Sequence, residues 1–116
     1  MKKTLFYVCP CCGNVLLATS GADISCCGRT LSPLQPLKAD AAHQPRAEQV
    51  EDELYITFDH EMNKEHYISF VAVMSYDRVL LIKLYPEQSP ELRIPKSRRS
   101  RLVFYCSSHG LMEYQL

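Results

Sequence analysis

Five of the six cysteines in this 116-residue chain lie between positions 9 and 27, and that crowding limits what the N-terminal part can become. Cys9-Pro10-Cys11-Cys12-Gly13-Asn14 contains a Cys-x-x-Cys pair, Cys9 and Cys12, and Cys26-Cys27-Gly28 adds two thiols about one hairpin later. Thiolate sulfur is a soft donor, four thiolates close a tetrahedron, and a glycine after each pair lets the backbone turn tightly around an ion. Cys9, Cys12, Cys26 and Cys27 are therefore expected to hold one metal, either iron or a structural zinc, because sulfur tetrahedra accept both. Cys11 is left over and reads as a small packed or half-exposed side chain. Disulfides are the weaker alternative. The basic start at Lys2-Lys3 is followed by an apolar run that ends at Cys9, too short for a signal-peptide core, and no stretch reaches the length of a membrane span. A reducing cytoplasm is the expected compartment, and there clustered cysteines read first as ligands.

The chain is long enough for one small domain with a stapled appendage but too short for two full hydrophobic cores. Apolar residues make up 47% and charged residues 22%, so the chain should fold. Thirteen basic and thirteen acidic residues cancel, which removes the broad positive field that nucleic acid or an anionic membrane would require. From Leu5 to Gly28 the pattern is a short apolar strand, a cysteine turn, the run Val15-Leu16-Leu17-Ala18, a turn at Gly21 and a second cysteine turn. Arg29 to Asp52, with Pro33, Pro36 and Pro45 and no sustained apolar period, reads as an extended connector. Beyond it Leu54, Ile56 and Phe58 alternate with Tyr55 and Thr57, and Tyr67 to Met74 and Val79 to Tyr85 run nearly apolar and rich in β-branched residues, as buried sandwich strands do. Asp77-Arg78 reads as the turn between those runs, and Arg101 to Tyr105 and Leu111 to Leu116 supply further strands. The expectation is a mainly β chain. A metal-binding knuckle unit over residues 1–36 is followed by an immunoglobulin-like antiparallel β-sandwich, with its connector, over 37–116.

All four histidines, His43, His60, His66 and His109, follow the cysteine unit. His60 and His66 stand six apart, which excludes the helical HExxH protease pattern with its histidines one turn apart. Cys106-Ser107-Ser108-His109-Gly110 sets a thiol and an imidazole three apart at a strand exit, and these groups are expected to converge across the sandwich.

The compressed second knuckle, Cys26-Cys27-Gly28 where a zinc ribbon repeats Cys-x-x-Cys, resembles the desulforedoxin-type iron centre from about Phe6 to Leu31. Asp59-His60-Glu61-Met62, Glu65-His66-Tyr67-Ile68 and Tyr105-Cys106-Ser107-Ser108-His109-Gly110-Leu111 resemble the ordered motifs of the superoxide reductase, or neelaredoxin, domain, and His43-Gln44-Pro45 its opening histidine. In this order the two halves resemble the two-iron desulfoferrodoxin family over nearly the whole chain. The resemblance implies two mononuclear non-haem irons. One would sit on Cys9, Cys12, Cys26 and Cys27 and relay electrons. The other would take equatorial nitrogens from His43, His60, His66 and His109 and an axial sulfur from Cys106, leaving a sixth position open to superoxide, which is reduced to hydrogen peroxide. A rubredoxin-like electron donor and a homodimer are implied in the same way.

The family commonly carries a Glu-Lys pair directly before its first histidine, the lysine attracting the anionic substrate; here those positions are Ala41 and Ala42. Loss of that charge lowers an association rate and makes it sensitive to ionic strength. Lys38, a few residues upstream, is the candidate to steer superoxide in its place. Glu61, Phe70 and Met112 also depart from the pattern and read as tuning near the site. The run Lys96-Ser97-Arg98-Arg99-Ser100-Arg101 reads first as a solvated loop and second as a guide for an anion or an acidic donor.

Overall fold

In the computed structural model, which describes residues 4–21, 23–41, 43–75, 78–96 and 100–116, the apolar runs flanking the first cysteine turn pair as an antiparallel hairpin. These are β1 (Leu5–Val8) and β2 (Val15–Ala18), with Val8 opposite Val15 and the first cysteine loop between them. A second hairpin joins β3 (Ile24–Cys26) to β4 (Arg29–Leu31). Cys26 pairs with Arg29, so Cys27 and Gly28 form a two-residue turn, with φ of 55° and 74°. Two successive positive φ values mark a type I′ turn, whose twist matches that of the flanking strands. Tyr7, Cys9 and Leu31 form a buried cluster in this unit, with Leu5, Leu16, Ala18 and Ile24 packed around them, and Phe6 is buried as well. So few apolar side chains make a thin core, the situation in which small units rely on a metal staple.

The chain divides into two compact units between Gln35 and Pro36. In the second, β5 (Leu37–Lys38), β6 (Arg46–Val50), β7 (Glu53–Thr57), β8 (Ile68–Met74), β9 (Val79–Lys83), β10 (Glu91–Pro95), β11 (Arg101–Cys106) and β12 (Gly110–Gln115) build two sheets. The three-stranded sheet has the order β10-β7-β6 and the five-stranded sheet the order β5-β12-β11-β8-β9. All pairings are antiparallel except β5 with β12. Ile56, Leu92 and Ile94 from the smaller sheet meet Ile68, Val71, Val73, Leu102, Phe104 and Met112 from the larger in one core. Phe58 lies edge-on to Phe104 at 4.9 Å between ring centres. Each such side chain removed from water stabilises by about 1.5–3 kcal/mol, and that burial holds the sandwich together. Among the described residues there is no helix, and so none long and apolar enough to cross a membrane.

Three expectations need correction. The stretch from Arg29 to Asp52 is not a plain connector, since it contains β4, β5 and β6. β6 is Arg46-Ala47-Glu48-Gln49-Val50, largely exposed and held by its register with β7, so no hydrophobic period could reveal it. β10 also escaped, because only Leu92 and Ile94 alternate there, between Pro90 and Pro95. Val79 to Tyr85, expected as a buried strand, yields β9 (Val79–Lys83), a sheet edge with Val79, Leu80 and Leu81 between 38% and 43% exposed. A continuous apolar run signals burial only when strands flank it on both sides, and β9 has β8 alone. Asp77 of the expected turn, Ala42, and Ser97, Arg98 and Arg99 of the basic run lie outside the described residues.

Candidate metal centres

In the first cysteine loop the Cys9 amide donates to the Asn14 carbonyl and the Gly13 amide to the Cys9 carbonyl, both at 2.9 Å, with Gly13 at φ 75° closing the turn. That knuckle and the Cys27-Gly28 turn bring the sulfurs of Cys9, Cys12, Cys26 and Cys27 within 4.8 Å of one another. Cys12 and Cys26 sulfurs are 3.6 Å apart, and those of Cys26 and Cys27 4.0 Å. Cys9 is buried, whereas Cys12 and Cys27 are exposed. All six cysteines are free thiols, and Cys11 is an exposed one outside the cluster.

The protons on these sulfurs are unevenly held. The backbone amide of Cys12 lowers the Cys9 thiol to about 7. Sharing hydrogen bonds with Cys12 raises Cys26 and pushes Cys27 up to about 12. Metal-free, Cys9 gives up its proton more readily than Cys26 or Cys27, whose protons are shared with close sulfurs. A soft divalent cation replaces those protons, so loading the site releases them.

The second group gathers from four places in the sandwich. His43 lies between β5 and β6, His60 follows β7, His66 precedes β8, and Cys106 ends β11 with His109 in the next turn. A bulge at Tyr105/Cys106 shifts the register so that Cys106 faces Ile68, which re-aims its side chain at the end of the strand. Gly110 at φ 88° closes the turn beyond it. The Ser107 amide donates to the Tyr67 carbonyl at 2.9 Å, and the Ser107 hydroxyl accepts from the Tyr67 amide at 3.0 Å and donates to the Glu65 carbonyl at 3.2 Å. This lacing ties the Cys106 turn to the segment that carries His66.

The imidazoles close in on one another. Ring centres are 4.3 Å apart for His60 and His66, 4.7 Å for His43 and His109, 5.1 Å for His66 and His109, and 5.4 Å for His43 and His60. Candidate ligand atoms of His43, His60, His66 and Cys106 lie within 4.8 Å of one another. His109 stands outside that group but brings Nδ1 to 3.4 Å from the Cys106 sulfur, as His60 brings Nε2 to 3.5 Å. Burial, then the neighbouring His66 and His43, hold His60 down at about 4, so its ring is neutral near pH 7. The Nε2 atoms of His43 and His66 are buried without a hydrogen-bond partner. Buried polar atoms are normally satisfied, so these orphans mark a place shaped for something else. Neutral imidazoles around a cysteine sulfur suit a transition ion such as iron, and the residues present fit one.

Lys38 is placed differently from the expectation of a swinging connector residue. It sits in β5 opposite Glu113 of β12, and the next residue, Ala39, donates its amide to the Glu113 carbonyl at 2.9 Å. No contact described for Lys38 reaches a histidine. Two carboxylates do touch the rings. Asp40 Oδ1 lies 2.6 Å from His43 Nδ1, and Glu61 Oε2 lies 3.1 Å from His66 Nδ1, a hydrogen bond that lowers the Glu61 carboxyl below its usual range. Neither carboxylate is among the expected site residues; Asp40 stands three residues before His43 and Glu61 five before His66, and that closeness is the signal the sequence offers.

No model of a known protein family matches the chain. It is similar to a desulfoferrodoxin of Syntrophotalea carbinolica, 27% identical over 119 residues that cover 95% of this chain and 94% of that protein. A desulfoferrodoxin of Desulfarculus baarsii is 26% identical, covering 94% of each. Among solved structures the superoxide reductase from Treponema pallidum superposes with a TM-score of 0.83 at 20% identity, covering 98% of this chain and 99% of that one. A one-iron superoxide reductase from Giardia intestinalis superposes with a TM-score of 0.52 at 16% identity, over 66% of this chain and 98% of that one. At these identities the structural likenesses speak to the fold.

Proposed function

We propose that this chain, whose relatives and fold support the desulfoferrodoxin and superoxide reductase family, is an oxidoreductase that reduces superoxide to hydrogen peroxide. The observation that carries the reading is the convergence of His43, His60, His66, His109 and Cys106 around two buried, unpartnered imidazole nitrogens. In the reaction one superoxide takes up one electron and two protons to give one hydrogen peroxide, and no oxygen is released. These five residues would hold iron, which when bound would supply the electron for this reduction. Cys106 would offer such an ion a thiolate sulfur, a donor that enriches its electron density. The histidines fix the ion, and the Ser107 lacing keeps Cys106 and His66 in register.

Cys9, Cys12, Cys26 and Cys27 would hold a second iron that supplies an electron relay from a rubredoxin-like donor, with zinc as the alternative occupant. The working form is a cytoplasmic homodimer. Lys38, exposed on β5, is assigned to steering the superoxide anion. One observation favours a second reading, an iron-binding electron-transfer protein without fast catalysis: alanine occupies both positions before His43.

Stopped-flow mixing of reduced, iron-loaded protein with superoxide separates the two readings. The proposal predicts rapid loss of superoxide with one peroxide formed per iron oxidised, abolished by His66→Ala, and a slower, less salt-sensitive approach in Lys38→Ala. An unchanged rate in Lys38→Ala removes that residue from the account. A slow reaction in protein whose spectrum shows both irons leaves the electron-transfer reading.

A further inference from the structure

We infer that Asp40 and Glu61 are positioning residues of the histidine site, each holding one imidazole with its Nε2 turned inward and placing a negative charge behind it. The inference rests on the proposed iron site and adds to it the residues that set its affinity and potential.

A carboxylate can only accept, so the proton in each contact belongs to the ring: His43 Nδ1 donates to Asp40 at 2.6 Å and His66 Nδ1 to Glu61 at 3.1 Å. With Nδ1 carrying the proton, the lone pair of a neutral ring is left on Nε2. Those two Nε2 atoms are the ones buried without a partner. The tautomer the carboxylates select is thus the one that offers both orphaned nitrogens to a cation.

Each contact is built into its loop. The His43 amide donates to the Asp40 carbonyl at 3.0 Å, so one turn carries both the ring and its carboxylate. Glu61 Oε2 also accepts from Asn63 Nδ2 at 3.0 Å, and Asn63 Oδ1 accepts from the His66 amide at 2.7 Å, so Asn63 braces both members of the second pair. Among the described residues, no carboxylate is hydrogen-bonded to Nδ1 of the other two histidines. His60 Nδ1 accepts from the Met62 amide at 3.3 Å, and His109 turns Nδ1 toward Cys106. A carboxylate behind a ligating imidazole makes it a stronger donor and favours the more positive state of the ion, so the pair should tighten binding and lower the reduction potential.

The experiment uses the full two-iron protein and reads the ion whose retention depends on Cys106. Iron affinity is measured against a competing chelator, and the midpoint potential by redox titration. Asp40→Ala and Glu61→Ala should each weaken iron retention by about 10- to 100-fold. Asp40→Asn and Glu61→Gln keep an acceptor oxygen and lose the charge. They should recover most of the affinity while raising the potential, by about 59 mV for a tenfold loss of ferric preference in a one-electron couple. Alanine variants that hold iron as tightly as the parent overturn the inference, and so do amide variants with an unmoved potential. A parent protein that holds no iron at this site overturns both the inference and the function it rests on. Variants that behave as expected in a protein inert to superoxide would sink the enzyme reading and support the positioning role.

Discussion

His60 shows how one residue couples this fold to pH. Burial, His66 and His43 hold it near 4, whereas an unfolded histidine titrates near 6.5. Between those values the unfolded chain binds a proton that the folded one refuses, so stability falls as the pH drops through that window. The urea midpoint of the metal-free protein should decline from pH 7 to pH 4.5, and His60→Asn should flatten the decline. An equally steep decline in His60→Asn would assign the effect to other groups. The sequence identified the four histidines and Cys106 as candidates through their spacing and family resemblance, and the structure brings them together. Asp40 and Glu61 were only hinted at, by carboxylates three and five residues before His43 and His66, because a hydrogen bond to Nδ1 depends on which way the ring turns. Lys38 was assigned by closeness along the chain, and closeness cannot tell a strand from a swinging tether.

At the scale of elements, the β3–β4 hairpin explains the adjacent cysteines. Two sulfurs can sit on so short a knuckle because Cys27 and Gly28 occupy the left-handed turn themselves. A side chain at Gly28 meets nothing within 4 Å, so Gly28→Ala is opposed only by its φ of 74°. A left-handed residue with a Cβ costs about 1–2 kcal/mol. Gly21 has equal space and no positive φ. Gly28→Ala should therefore weaken cobalt binding at the cysteine site by about 5- to 30-fold, the equivalent of that cost, with Gly21→Ala near the parent in chelator competition. Equal losses in both variants would place the cost elsewhere. Strands rich in β-branched or aromatic residues, such as β8 and β11, were legible because apolar composition reports burial. β6 was not, since its support is main-chain pairing to β7. The exposure of β9 follows from its place at the sheet edge, which is a property of the sheet and not of the run itself.

On the scale of the molecule, two structural units each gather their own ligand set: four thiols on paired hairpins, and imidazoles with one thiol at an end of the sandwich strands. The order of these units was readable because five of the six cysteines precede every histidine. The account stands on two independent metal sites, and native mass spectrometry of iron-loaded protein counts them directly. It predicts two irons per 13.3 kDa chain, with Cys12→Ser losing one and keeping the other, and the His66→Ala/Cys106→Ser pair doing the reverse. The proposed homodimer would appear in the same spectrum as twice the chain mass. A single iron per chain, or two that leave together whichever ligand is removed, would contradict the account.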